Sequence, residues 1–381
     1  MNQPTRARES SENQAVLYLA LELSRKNWKL AFAWEAGQKP RLRTIAAGDI
    51  PKLLEEIRLA QQKFGLKNCR VLSCYEAGRD GFWLHRQLEA LGITNIVVDA
   101  GSMEVSRRFR RAKTDKLDVQ GLLSRLIRFW QGEKKVWSVV RVPSVEHEDG
   151  RQLSRELETL KQERTRHRNR IVGLLVSQGV LELKAAKDFL AQLETVSLWD
   201  GTSVPPGLKG RLQREFARLK LVEEQIRLLE RQRQEEVAGQ DTRAMEMVKQ
   251  LVMLKGIALT SAWVFVREFF GWRQFRNRRE LASLAGLAPL PYQSGESLNR
   301  EQGINKAGNV RIRTMIVEIA WAWLRLQPQS RLSLWFQQRY GPGSRRSRRV
   351  GIVALARKLL VELWRYLETG AIPEGALLKR A

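Results

Sequence analysis

The sequence predicts an N-terminal α/β domain, a central pair of long helices and an all-α C-terminal region. Short apolar runs alternate with helical patterns over roughly 15–140, as is typical of an α/β sheet domain. Charged residues dominate 146–236, where the apolar positions recur at helical spacing. The chain becomes apolar again over 245–325 with the same periodicity, which predicts a packed helical region.

The elements of the first domain follow from apolar runs bounded by turn residues. Residues 1–14 are polar, and we expect a disordered tail there. Apolar runs predict strands at 17–24, 28–33, 70–75 and 95–99. Helical spacing predicts helices at 50–64, 82–91 and 115–130. The α/β domain is therefore placed at 15–145.

The central region, 146–240, is predicted to be a coiled coil. An apolar stripe with steps of three and four runs from Leu208 to Leu229, as in a heptad seam. Pro205-Pro206-Gly207 divides the region into two long helices. Both an antiparallel hairpin within one chain and a dimeric coiled coil fit this pattern.

The C-terminal region is divided at residue 330. Within 241–330, the run from Leu254 to Ala258 fits either a phosphate-binding helix-hairpin-helix turn or an ordinary turn between helices. Residues 288–309 are predicted to be a loop, and a helix follows over 311–326. The segment 331–381 is predicted to hold a basic linker at 341–349 and an amphipathic helix at 350–369.

The charge balance indicates a polyanionic partner. Lys and Arg number 67 against 41 Asp and Glu, which gives a net charge of +26 and predicts salt-sensitive binding to nucleic acid. The 12 tryptophans and 43% hydrophobic residues predict packed cores. Two cysteines and three scattered histidines support neither a disulfide framework nor a zinc site. Without a long apolar run or a signal peptide, we expect a cytoplasmic protein with no membrane partner.

Four acidic residues form the first candidate site. Glu22 and Glu76 end predicted strands, and Asp115 and Asp118 lie one turn apart on a predicted helix. This pattern suits a ribonuclease H-like sheet, in which such carboxylates bind Mg²⁺ or Mn²⁺ for phosphoryl transfer. Asp99 also follows a strand, but we interpret it as a loop cap.

Two basic segments are candidate nucleic-acid contacts, although each is also consistent with a solvated run of charges. Their residues are Arg107, Arg108, Arg110, Arg111, Lys113 and Lys116 in the first segment and Arg345, Arg346, Arg348 and Arg349 in the second.

A block rich in glycine and serine, from Tyr292 to Asn309, forms the second candidate site. Ser294 precedes a glycine, and Lys306 is suited to hold an anion. A serine hydroxyl is a weak nucleophile unless a base or a metal activates it. Taken alone, a Ser-Gly pair in a loop is far more typical of a turn, and Ser297 is a rival nucleophile.

A family resemblance is carried by the segments 113–119 and 284–289 and by the motifs around Ser294 and Lys306. Through them the chain resembles the DEDD-type transposases of the insertion sequence 110/1111 families over roughly 15–370. The resemblance implies a RuvC-like domain with a DEDD metal tetrad, then a coiled coil and a helical transposase domain. The residues that correspond are Glu22, Glu76, Asp115 and Asp118 for the tetrad and Ser294 for the nucleophile. Glu22 departs from the family's usual aspartate.

The resemblance also implies a mechanism and partners. The serine would form a covalent phosphoserine with DNA at the element ends and the target, and a structured guide RNA would select both. The assembly would be a dimer or tetramer, associated with the bacterial nucleoid when bound to DNA. Two alternatives stay open: a RuvC-like nuclease that uses water, and an inactive DNA- or RNA-binding relic.

Overall fold

The computed structural model describes residues 15–103, 114–292 and 300–379. The chain divides between Val142 and Pro143 into two compact units. Each unit has its own hydrophobic core. The predicted tail at 1–14 lies outside the described residues.

A mixed five-stranded sheet forms the centre of the N-terminal unit. Its strands are β1 (Val16–Leu23), β2 (Asn27–Ala33), β3 (Arg41–Ala46), β4 (Arg70–Glu76) and β5 (Thr94–Val98), in the order β3-β2-β1-β4-β5. β1, β2 and β3 are antiparallel neighbours, whereas β1, β4 and β5 run parallel. The parallel pairs need crossover connections, which contain α1 (Ile50–Lys63) and α2 (Trp83–Ala90).

The two faces of this sheet pack against different helices because side chains alternate along each strand. Leu19 and Leu21 of β1 lie in the core that α1 and α2 cover. Tyr18 and Ala20 face α3 (Asp115–Trp130), together with Cys74 of β4. Burial raises the pKa of the Cys74 thiol, as expected of a cysteine that serves as a small apolar side chain. Even-numbered residues of β1 and β4 therefore face α3.

The C-terminal unit begins with α4 (Val145–Asp149) and an antiparallel helical hairpin. The hairpin consists of α5 (Gln152–Val176) and α7 (Pro206–Gly239), with α6 (Phe189–Thr195) in the connection. Leu157, near the start of α5, shares a core with Ile226, late in α7. Leu175, at the end of α5, packs with Leu212, early in α7. The two helices therefore run in opposite directions within one chain.

The remaining elements pack around one core, which also contains side chains from the start of α5 and the later part of α7. They are α8 (Arg243–Met253), α9 (Leu259–Phe265), a π-helical turn (Val266–Phe270), α10 (Arg278–Leu284), β6 (Pro289–Tyr292), β7 (Arg300–Ile304), α11 (Val310–Leu326), α12 (Arg331–Tyr340) and α13 (Arg345–Thr369). Trp263, Trp323 and Phe336 are among the fully buried side chains of this core. In the part of the chain that the structure describes, no helix is long and apolar enough to cross a membrane.

Three segments differ from the sequence prediction. β3 was not predicted, since its buried Arg41 pairs with Glu56 at 2.5 Å instead of forming part of an apolar run. The predicted loop at 288–309 contains β6 and β7, which pair as an antiparallel hairpin. The predicted linker at 341–349 is mostly helix, because Ser344 accepts a hydrogen bond from the Ser347 N–H and starts α13 at residue 345.

Candidate functional site

The parallel register of β1 and β4 places two glutamates side by side. Leu21 lies opposite Tyr75, so Glu22 and Glu76 occupy the next position of each strand. Both are even-numbered and partly buried, and both continue the face that α3 covers. The carboxyl ends of these two strands thus bring together the two predicted glutamates.

α3 brings the two predicted aspartates to the same end of this face. Val119 and Leu122 of its buried stripe lie one turn after Asp115 and Asp118 respectively, so both carboxylates extend the surface that the helix turns to the sheet. Lys29 of β2 lies opposite Glu22 of β1 in the strand register, and its Nζ lies 3.8 Å from Asp115 Oδ2. The four acids therefore lie around one edge of the sheet, with a lysine among them.

The chemistry of these side chains fits a hard divalent cation, which prefers oxygen ligands. Among the described residues, however, no group of three or more His, Cys, Asp or Glu side chains has an arrangement that could hold a metal ion. Asp99 has another role, since its Oδ1 accepts a hydrogen bond from the Gly101 N–H at 3.1 Å. The interpretation of Asp99 as a loop cap is confirmed.

Two glycines fix the second candidate site by direct backbone contact. A Cβ on Gly308 would lie 2.2 Å from the Gly286 nitrogen and 2.3 Å from the Leu284 oxygen. Gly286 has a φ of +68°, which favours glycine. The Lys306 N–H donates to the Gly286 carbonyl at 3.3 Å, and the Asn309 N–H donates to Leu284 at 2.7 Å. We call this contact the glycine clamp.

The glycine clamp closes the base of the β6–β7 hairpin. Tyr292 and Arg300 are opposite one another at the far end, and the connecting segment 293–299 contains Ser294 and Ser297. Both serines lie outside the described residues. The clamp thus holds the two strands that lead into and out of the predicted nucleophile.

A basic groove of about 970 Å³ lies beside the base of this hairpin and reaches Ala288 and Pro289. Its cationic residues come from the three helices α10, α12 and α13, and they are Arg278, Arg279, Arg331, Arg357, Lys358 and Arg365. Two of them have carboxylate partners: Arg331 pairs with Glu374 at 2.6 Å and Arg365 with Glu362 at 3.1 Å. Cations in excess of acids along a groove suit a polyanion.

Residues 248–334 match a family described as the transposase IS116/IS110/IS902 family. The y4rJ protein of Sinorhizobium fredii (strain NBRC 101917 / NGR234), named as a transposase, is 42% identical over 376 residues, which cover 95% of this chain and 94% of the relative. The chain belongs to the IS110/IS1111 family of transposases. It is therefore a DNA transposase, an enzyme that cuts and rejoins DNA.

Two other relatives are named for insertion sequence elements. The transposase for IS1111A of Coxiella burnetii (strain RSA 493 / Nine Mile phase I) is 28% identical over 263 residues, 67% of this chain and 66% of the relative. The transposase for IS1533 of Leptospira borgpetersenii is 24% identical over 270 residues, 70% of this chain and 74% of the relative. The family region of this transposase, 248–334, spans the glycine clamp and the β6–β7 hairpin.

The predicted nucleic-acid contacts of the transposase fall partly outside and partly within the described residues. Arg107, Arg108, Arg110, Arg111 and Lys113 lie outside the described residues. Lys116 is exposed in the first turn of α3, and Lys306 is exposed with a φ of +61°. Arg345, Arg346, Arg348 and Arg349 are exposed at the start of α13, and none of the four has an ion pair to any residue within the described ranges. They are therefore available to a phosphate backbone.

The turn at 254–258 has less support as a phosphate site. The Lys255 N–H donates to the Leu377 carbonyl at 3.0 Å, and the Ile257 N–H donates to Leu254 at 3.1 Å. Gln327 also donates to the Lys255 carbonyl at 2.7 Å. Two N–H groups of the turn are thus used within the protein, which favours an ordinary turn between helices.

Sequence reasoning missed the basic groove. Its cations are scattered over 278–365, and no local spacing joins Arg278 with Arg357. The one sequence signal was the overall excess of Lys and Arg, which predicts a basic surface without placing it.

Proposed function

We propose that this transposase cuts and rejoins DNA through a covalent serine–phosphate intermediate, with Ser294 as the nucleophile. The observation that carries the proposal is the glycine clamp, which fixes both strands leading to the segment with Ser294. The basic groove supports the same conclusion, because a DNA strand there would lie beside the base of the hairpin whose connecting segment contains Ser294.

The proposed step is a transesterification. Ser294 Oγ attacks a DNA phosphorus, the Oγ–P bond forms and the P–O bond to the leaving deoxyribose oxygen breaks. The serine proton goes to a base, and the leaving oxygen takes up a proton. A hydroxyl of the new partner strand then reverses the attack and releases the serine, so that one phosphodiester is conserved without an external nucleotide.

The acids at the sheet edge are proposed to hold Mg²⁺ or Mn²⁺. Glu22, Glu76, Asp115 and Asp118 are the ligands in this proposal, and the bound cation would supply charge that stabilises the reacting phosphate. No three of them are arranged to hold a metal ion in the structure, so the proposal requires their side chains to move together around the cation. Their position at the same end of the sheet supports it, because a cation would relieve the repulsion between carboxylates brought that close. Lys29 beside Asp115 offsets part of this repulsion.

We further propose the finer architecture and partners that the family resemblance implies. The N-terminal unit would have a RuvC-like fold, which the mixed sheet with acids at the ends of β1 and β4 supports. The α5–α7 hairpin would be a coiled coil, which its two shared cores support. A structured RNA would guide a dimer or tetramer to its DNA sites, with sequence choice delegated to base pairing.

An excision assay in cells tests the nucleophile. The element flanks and the RNA-coding region are supplied, and joined circles are measured for wild type, Ser294→Ala and Ser297→Ala. We expect circles from wild type and Ser297→Ala and none from a stably expressed Ser294→Ala. Equal activity of wild type and Ser294→Ala would overturn the serine mechanism and favour water as the nucleophile. Excision that persists without the RNA-coding region would overturn the proposal that a structured RNA guides the transposase.

The metal site is tested in the same assay with a matched pair of variants. Asp118→Asn removes a proposed ligand charge, whereas Asp99→Asn changes a carboxylate that caps a turn. We expect Asp118→Asn to abolish excision and Asp99→Asn to retain most of it. Full activity of Asp118→Asn would exclude that residue from the metal site.

A further inference from the structure

A second cavity lies in the C-terminal unit, away from the basic groove. It has a volume of about 600 Å³ and is bounded by α5, α7, α9 and α11. Pockets of this size bury a small ligand with about the bulk of a nucleotide. None of the residues that line it takes part in the proposed reaction.

Among the described residues, four cations and two carboxylates, those of Glu158 and Glu318, line the cavity, and two of the cations have carboxylate partners. Lys161 Nζ pairs with Glu230 at 2.8 Å, and Arg311 Nε pairs with Glu158 at 2.7 Å. Arg233 also lines the cavity, and it has no ion pair or hydrogen bond to any residue that the structure describes.

Arg233 is the decisive residue because its charge is buried. Its exposure is only 6%, and its Nε is shielded from solvent without a hydrogen-bond partner. The charge of Glu230, one turn away, partly offsets this burial, but no hydrogen bond or close ion pair from the described part of the chain holds the guanidinium. Pairing with a second charge would recover more of the lost solvation. A guanidinium also presents a planar fork that matches a phosphate. An anion of the phosphate class would therefore complete this site.

The rest of the lining suits a nucleoside. Val264 and Met315 provide an apolar wall, and the hydroxyls of Thr260 and Thr314 provide donors and acceptors. We propose that this cavity binds one nucleotide, with its phosphate on Arg233 and its base against Val264 and Met315. The site rests on the cavity and the buried arginine, so it does not depend on Ser294 as the nucleophile.

The source of the nucleotide is either a free mononucleotide or one unit of a nucleic-acid strand. In a strand, the nucleotide would leave its stack to enter the cavity, as bases do in enzymes that read them in a pocket. Both sources share the same chemistry of phosphate plus base, and the experiment separates them.

The test uses the full chain and the fluorescent probe N-methylanthraniloyl-AMP, whose emission rises in an apolar site. Arg233→Gln is compared with Arg231→Gln, which removes the same charge from an exposed position of α7. We expect Arg233→Gln to weaken binding about tenfold or more and Arg231→Gln to change it less than about twofold, since bidentate charge-assisted bonds are strong. The matching adenosine probe, without phosphate, should lose as much affinity as Arg233→Gln does.

A thermal melt accompanies each variant, and Arg233→Gln should be at least as stable as wild type because it removes a buried charge that has no close ion pair within the described ranges. Displacement of the probe by an eight-nucleotide single strand would support a strand as the source, and displacement by AMP alone would support a free nucleotide. The proposal is overturned if wild type does not bind the probe, if both Arg variants lose affinity equally, or if the adenosine probe binds as tightly. None of these outcomes bears on the excision result for Ser294→Ala.

Discussion

Gly308 lies so close to the neighbouring backbone that the clamp has no room for a side chain. The nearest atoms to a Cβ there are backbone atoms of Leu284 and Gly286, which cannot rotate away as a flexible side chain would. This close contact fixes the residues that follow β7 against the residues that precede β6. A change of one methyl group is therefore expected to affect the segment that carries Ser294.

We predict that Gly308→Ala destabilises the C-terminal unit by about 1–3 kcal/mol, the usual cost of overpacking, and sharply reduces excision. Gly303→Ala is the matched control, since a Cβ there would meet nothing within 4 Å. Urea unfolding and the excision assay measure both effects. Equal stability of the two variants would contradict the clamp.

At this scale the sequence identified the motif residues but not their contact. Spacing alone placed Ser294, Gly308 and Lys306 in one block, whereas the approach of Gly286 to Gly308 depends on tertiary packing. Likewise, Glu22 and Glu76 were predictable as strand ends, while their adjacency required the β1–β4 register.

The hairpin of α5 and α7 illustrates how one buried charge fixes the register of an element. Glu215 is 2% exposed and contacts His167 Nδ1 at 2.6 Å, Arg170 at 2.5 Å and Arg218 at 3.0 Å. Burial by itself would raise the pKa of Glu215, but the hydrogen bond from His167 and the charge of Arg170 hold this pKa below its ordinary value of 4.5. The two helices are therefore joined across their apolar seam by an ionised carboxylate.

We predict that Glu215→Gln destabilises the hairpin by about 3 kcal/mol, as expected when one partner of a buried charge group is removed. Because the folded pKa is lowered, the stabilisation is present above pH 4.5 and is lost as the pH falls through the folded pKa. Wild type should lose stability over this acidic range more steeply than Glu215→Gln.

The control is Glu223→Gln, whose partners Arg168 and Lys220 are half exposed, so its effect should stay within about 1 kcal/mol. Urea unfolding between pH 3 and pH 7, followed by circular dichroism, measures the three proteins. Identical pH profiles of wild type and Glu215→Gln would contradict the role of Glu215.

Elements with a strong apolar period were predictable from the sequence. The 3.6-residue period predicted a helix at 115–130, and α3 spans Asp115–Trp130. β3 has no such pattern, because Arg43 and Thr44 are exposed and Arg41 is buried only through Glu56. The start of α13 depends on Ser344 acting as a cap within a run of arginines that otherwise reads as a linker.

The whole molecule has a net charge of +26, and part of this charge lines the basic groove. Some cations of the groove have carboxylate partners, and others have none among the residues described. Arg278 and Arg357 line the groove and have no ion pair among the residues described. Each is therefore available to a phosphate of bound nucleic acid, and each such contact makes binding more dependent on salt.

We predict that the double variant Arg278→Gln, Arg357→Gln weakens binding to element-end DNA and lowers the slope of log K against log salt by roughly 2, near 0.9 for each lost phosphate contact. Arg214→Gln, Arg231→Gln removes the same charge from exposed positions of α7 and should change the slope much less. Fluorescence anisotropy from roughly 50 to 200 mM KCl measures it. Equal slopes for both double variants would indicate that the groove makes no phosphate contacts.

The sequence predicted the nucleic-acid partner of the whole molecule from charge, and the family resemblance supplied the reaction. The groove and the nucleotide cavity were not predictable, since each combines residues from helices far apart in the chain. Such sites depend on how the helices pack, and the spacing of residues in the sequence does not encode that directly.

The most direct test of the central claim is capture of the covalent intermediate. Purified protein is incubated with Mg²⁺, labelled element-end DNA and transcript of the element's non-coding region, then denatured, and the protein–DNA adduct is mapped by mass spectrometry. We predict an adduct on Ser294 in wild type and in Ser297→Ala, and none in Ser294→Ala. DNA cleavage without any adduct, or an adduct that persists in Ser294→Ala, would contradict this claim.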